Sequence, residues 1–178
     1  MRLGPTVAIV ASIGAATSNV AVAAATQYPM QLRSPAFSNG GQLPASATCT
    51  GTGTSPALQW SHVPRRTREL DLLMTDPDAP SGTVSHWVVY NIRPNSGGFP
   101  TGAVPAGAKQ GTNSFGLQSY LPPCPQPPGS THRYFFELFA SGAILTFAHT
   151  PNDSDIRNAL QGHILATATL AGTFTIGL

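Results

Sequence analysis

The chain has 178 residues, enough for one ordinary domain, with 41% hydrophobic and only 9% charged residues. That balance excludes intrinsic disorder, which goes with high charge and few aromatics. A net charge of +2 without any run of Lys or Arg to follow a phosphate backbone excludes nucleic acid as a partner, and the abundance of Gly and Pro points to many turns between short strands.

Residues 1–25 differ from the rest. Arg2 precedes an uncharged run of small and apolar residues, and Ala21-Val22-Ala23 and Ala23-Ala24-Ala25 both offer the small-x-small pattern of a signal peptidase site. The segment is predicted to be a cleaved secretory signal, leaving 26–178 as one domain that is secreted or periplasmic. A retained membrane helix is the alternative. Ser12, Gly14, Thr17, Ser18 and Asn19 make the run a poor bilayer span, so no stable membrane insertion is expected. Export also colours the reading of Cys49 and Cys124, the two cysteines of the chain. An oxidising compartment favours their pairing over two buried thiols or a thiol linking two chains. Neither has a Cys or His at ligand spacing, so no metal or other cofactor is expected.

In chain order, 69–75 (Glu-Leu-Asp-Leu-Leu-Met-Thr) reads as a buried strand bounded by breakers, followed by similar runs at 87–92 and 134–140. Residues 94–98 and 121–129 are turns by composition. One helix is predicted. Thr150-Pro151-Asn152-Asp153 supplies an N-cap, a proline suited to the first turn and an acid. Ile156, Ala159, Leu160, His163, Ile164, Thr167 and Ala168 then recur at three- and four-residue steps. Ala171-Gly172 is expected to end the helix and 173–176 to form a closing strand. The fold class is mainly β, an antiparallel domain with a late helix on its edge.

Three strand ends are polar where a plain β domain would be bland. Asp76-Pro77-Asp78-Ala79-Pro80 is a loop stiffened by two prolines that presents two carboxylates. Ser85-His86-Trp87 leads into one strand and His132-Arg133-Tyr134 into another. If they converge, a stiff carboxylate orients an imidazole, and imidazole and phenol both aim donors at an incoming oxyanion. Such a site suits phosphate, acetate or a zwitterionic head group.

These blocks resemble the signatures of the phosphatidylethanolamine-binding protein family: Asp-Pro-Asp-Ala-Pro at 76–80, His-Trp-Val-Val-Tyr-Asn-Ile at 86–92 and His-Arg-Tyr-x-Phe at 132–136. So do Ser-Pro-Ala-Leu-Gln-Trp at 55–60, Gly-Thr-Asn-Ser-Phe-Gly at 111–116 and Gly-His-Ile-Leu-Ala at 162–166. The blocks run in the family's order from about Phe37 to the end, closest to its bacterial branch, whose members often carry cysteines at both places. The resemblance implies a central antiparallel sheet packed on a smaller sheet with peripheral helices. It also implies an anion pocket lined by Asp76, His86 and Tyr134, framed by Asp78, Pro80, Pro122, Pro123 and Pro125, with His132 near it. One departure stands out: the family's Gly before Pro in the rim loop is Pro122 here, and Pro lacks both glycine's backbone freedom and an N–H.

Several residues carry plainer readings. Alternation along the strand turns Arg133 away from Tyr134 and toward Asp76 or Asp78. Trp60 and Trp87 read as core aromatics, His163 as packing on the helix, and His62 and His149 as exposed. The expected function is binding of a small anionic or zwitterionic ligand, with inhibition of an extracytoplasmic protein partner as an extension. The alternatives are a hydrolase-like enzyme, with Asp76 orienting His86 as general base, and a secreted interaction domain with a relic pocket. No Gly-x-Ser-x-Gly elbow supplies a nucleophile, so the chain is not expected to be an enzyme.

Overall fold

A computed structural model describes residues 28–177; the segment predicted as a signal lies outside them. The chain runs β1 (Gln31–Arg33), β2 (Gly41–Gln42), a 3-10 turn at Ala45–Ala47, β3 (Leu58–Ser61), β4 (Glu69–Asp76), β5 (Val84–Ile92), β6 (Gly98–Phe99), β7 (Lys109–Gln110), β8 (Thr131–Ser141), α1 (Asp153–Leu160) and β9 (Ile164–Thr175). Six strands form one sheet in the order β2-β9-β8-β4-β5-β7, antiparallel except for the β2–β9 pair. The other three form a smaller sheet, β1-β3-β6.

β4 is buried at every position because both faces of the large sheet are covered. Leu70, Leu72 and Met74 share a core with Leu58 and Trp60 of β3 and Phe99 of β6. Leu73 belongs to a second core with Val88, Phe139 and the α1 residues Ile156 and Leu160. Each such apolar side chain contributes roughly 1.5–3 kcal/mol by leaving water, and burial on both faces also takes in the polar Glu69, Asp71, Thr75 and Asp76. β8 is covered less evenly and keeps its period of two: His132, Tyr134, Phe136 and Leu138 are buried while Thr131 and Arg133 are exposed. Trp60 and Trp87 are core residues, as expected.

The predicted helix is half as long as its periodicity suggested. α1 stops at Leu160, and residues 164–168, expected to be helical, are the first part of the long strand β9, of which 173–176 was expected to be the whole. The cap is Asn152 rather than Thr150, and it exchanges bonds with Asp155 in a capping box. Gly162, at φ +77°, supplies the left-handed residue that ends such a helix. His163 is consequently exposed in the connecting turn instead of packed on an apolar helix face.

This topology dictates where the polar strand ends go. β4 lies between β5 and β8 and runs antiparallel to both, so its end meets their beginnings. Asp76, His86 and Tyr134 therefore reach one rim although 58 positions separate the outermost two along the chain.

Candidate functional site

Asp76 closes β4, and its carboxylate is held from two directions. Oδ1 accepts the backbone N–H of Asp78 at 2.8 Å, and Oδ2 accepts His132 Nδ1–H at 2.7 Å. The imidazole that Asp76 orients is thus His132, while His86 Nε2 stands 4.0 Å away. Alternation on β8 sends Tyr134 to the same face as His132, with ring centroids 6.5 Å apart.

His86 owes its direction to a β-bulge. Met74 pairs with Trp87 and Thr75 with Ser85, so His86 is an extra residue on β5 with no partner on β4. A bulge re-aims its side chain, and the imidazole meets Tyr134 edge-on at 5.2 Å. Its Nδ1 lies 2.9 Å from the Leu121 carbonyl, which can only accept, so Nδ1 carries the proton. The backbone returns the contact: Leu121 N–H donates to the His86 carbonyl. Burial pushes the His86 pKa down, which keeps the ring neutral near pH 7 and leaves Nε2 as a bare acceptor facing the cluster.

Tyr134 has the most telling atom. Its hydroxyl is buried and meets the geometry of a hydrogen bond with none of the described residues, while burial pushes its pKa up and the Asp76 carboxylate is near enough to add to that. A buried hydroxyl without a partner costs about 1–3 kcal/mol.

Asp78, predicted to frame the opening, is committed elsewhere. It takes Arg133 Nε and Nη2 in a fork at 2.8 and 2.6 Å and the Arg133 backbone N–H at 2.9 Å. Hydrogen bonding to Arg133 holds its carboxyl down at about 2. Pro80 lies on an exposed turn. In the rim loop, Pro123 and Pro125 are buried and Pro122 half-buried. Pro123 accepts the Cys49 N–H at 3.0 Å, beside the Cys49–Cys124 disulfide, whose Cα atoms are 5.4 Å apart. Pro122 sits over Gly53, where a Cβ would come within 2.8 Å of its ring. Gly53, having no side chain, leaves room for the Pro122 ring.

The cluster is nearly closed, with Asp76 3%, His86 5%, His132 5% and Tyr134 0% exposed. That is tighter than the open anion pocket expected: all four side chains are almost wholly out of reach of solvent. Roomier cavities lie elsewhere. One of about 490 Å³ is lined by Thr75, Ser85 and the start of α1, on the opposite face of the sheet. The clustered titratable side chains therefore lie apart from that cavity. Ser130 also bears on the site: its Oγ is 3.5 Å from His132 Nε2 but donates to the Pro127 carbonyl at 2.7 Å. Among the described residues, no set of three His, Cys, Asp or Glu side chains has the geometry to hold a metal ion.

The model of the family described as phosphatidylethanolamine-binding protein matches residues 33–175. A UPF0098 protein of Methanothermobacter thermautotrophicus is 39% identical over 153 residues, covering 83% of this chain and all of the relative. A Mycobacterium tuberculosis protein whose name, LppC, classes it as a lipoprotein is 34% identical, covering 90% of this chain and 79% of its own length. The solved structure of CT736 of Chlamydia trachomatis, titled a homologue of that family, is 40% identical with a TM-score of 0.77, covering 82% of this chain and 97% of its own. YbcL of Escherichia coli, titled a new member of the mammalian family, is 30% identical with the same TM-score, covering 84% of this chain and 99% of its own.

Proposed function

This chain belongs to the phosphatidylethanolamine-binding protein family, and from that premise we propose that it is an extracytoplasmic binding protein that takes one small anionic group, phosphate or a phosphate-bearing head group, into the cluster of Asp76, His86, His132 and Tyr134. The unpartnered hydroxyl of Tyr134 carries this reading. A folded chain keeps such an atom at a cost, and an entering oxyanion removes the cost by accepting its proton. His86 Nε2 is the second contact. It takes up a proton and donates to an anionic phosphate oxygen. Asp76 opposes a bare anion but is engaged by His132, and it faces the ammonium end of a zwitterionic ligand favourably.

Export rests on the run at 1–25, on the disulfide and on the lipoprotein name of one relative. Binding is favoured over catalysis because Ser130, the hydroxyl nearest an Asp-paired histidine, spends its proton on the Pro127 carbonyl. Isothermal titration with phosphate and phosphoethanolamine tests the proposal. Wild-type protein should bind with affinity that rises as pH falls, because the anion stabilises the protonated form of a histidine whose pKa is depressed in the empty site. His86→Ala should weaken binding at least roughly tenfold. Equal heats for wild type and variant would refute it.

A further inference from the structure

The surface charge of this protein is one-sided. All seven carboxylates of the chain are accounted for: Glu69, Asp71 and Asp76 are buried, and Asp78, Glu137, Asp153 and Asp155 are tied to Arg133, Arg157 or His149. The remaining described cations have no carboxylate within ion-pair distance. Three of them, Arg65, Arg66 and Arg68, fall in one exposed turn closed by Thr67 N–H to the Pro64 carbonyl.

That turn adjoins exposed aliphatic side chains. Arg68 N–H donates to the Ser141 carbonyl, Ser141 pairs with Ile164, and a Cβ on Gly142 would touch Leu165 at 3.5 Å. Ile144, Ile164 and Leu165 are 54%, 47% and 38% exposed. Three unpaired guanidinium groups in a turn bonded to Ser141, with exposed Ile164 and Leu165 opening the strand paired there and exposed Ile144 three residues past Ser141, fit one partner chemistry, an anionic bilayer, in which phosphates meet the arginines and the aliphatics enter the acyl boundary. A purely polyanionic partner would use the arginines and leave the aliphatics idle.

We propose that the Arg65–Arg66–Arg68 turn and the Ile144, Ile164 and Leu165 side chains form a peripheral docking surface for anionic phospholipid membranes. Arg68, just before β4, and Asp76, at its end, lie about 25 Å apart at the rise of an extended strand. A docked molecule therefore holds the Tyr134 cluster away from the bilayer, where it meets soluble ligands. This inference does not rest on the anion site, and either can fail without the other.

Co-sedimentation tests it, using vesicles of phosphatidylcholine alone and of equal parts phosphatidylcholine and phosphatidylglycerol. Binding is expected for the anionic vesicles only. Arg65→Gln/Arg66→Gln/Arg68→Gln should weaken it by about 100-fold, at about fivefold per arginine. Ile144→Ser/Leu165→Ser should weaken it by at least about tenfold. All five positions are exposed, so an unchanged melting temperature confirms that the variants fold. Failure of the wild type to pellet with anionic vesicles overturns the proposal. So does full binding by the arginine variant, and full binding by the aliphatic variant overturns the lipid assignment in favour of a generic polyanion surface.

Discussion

Tyr134 sets stability against binding at a single atom. Its ring is core, packed with Phe136 and Leu138, yet its hydroxyl is left without a partner. Tyr134→Phe keeps the ring and deletes the unsatisfied group, so the variant should melt a few degrees higher, for a gain of about 1 kcal/mol. The same change should weaken phosphate binding by roughly 10- to 100-fold, the value of one hydrogen bond to a charged group. Calorimetric melting and titration on the same sample separate the two effects. A lower melting temperature would mean that the hydroxyl is satisfied in the empty protein. The residues of this cluster were legible in the sequence as polar strand ends, but their pairing was not. The hydrolase-like alternative has Asp76 orienting His86, whereas the bulge at His86 moves that imidazole off the regular ladder and Asp76 is bonded to His132. A bulge of one residue leaves no compositional mark at this position.

Among the elements, the rim loop is the one that ties covalent chemistry to the site. Cys124 is bonded to Cys49, and three residues before it the Leu121 carbonyl accepts a hydrogen bond from His86 Nδ1–H. In the chain-entropy view, cross-linking a loop this long stabilises the fold by about 4–5 kcal/mol. Cys49→Ser/Cys124→Ser should therefore lower the melting temperature by about 10 °C and weaken anion binding as the Leu121 carbonyl loses its place. A variant that melts lower yet binds phosphate at full strength would show that His86 is positioned without the bridge. The strands β4, β5 and β8 were readable from their apolar runs because they are buried. β9 was not, because Ile164, Thr167 and Ala168 recur at the three- and four-residue steps of a helix, whereas in the strand only Ala168 of the three is buried. The deciding residue was Gly162, whose left-handed backbone ends α1 and returns the chain to the sheet.

At the scale of the whole molecule, the second core holds a pair of acids that the sequence displayed and an apolar reading of 69–75 passed over. Glu69 is 1% and Asp71 0% exposed. Desolvation pushes both carboxyls up, and for Asp71 the neighbouring Glu69 charge adds to it. The native protein therefore keeps a proton on Asp71 that the unfolded chain releases near pH 4. Stability from this group is greatest below that value and falls as pH rises through the raised folded pKa. The melting temperature of the wild type should drop between about pH 5 and about pH 9, and Asp71→Asn, which cannot ionise, should flatten the drop. An equal slope in both proteins would locate the pH dependence elsewhere. With Asp71 neutral and every other acid buried or paired, the outer surface is left to its unpaired arginines.

The account depends most on His86 as the proton-accepting contact of an anion. Nuclear magnetic resonance of ring-labelled protein reads that group directly, by titrating His86 with pH in the absence and presence of saturating phosphate. The pKa should lie below the ordinary histidine range in the free protein and rise when phosphate is added, by about one unit or more for a charge-assisted bond. An unchanged titration curve for His86 in saturating phosphate would contradict the account.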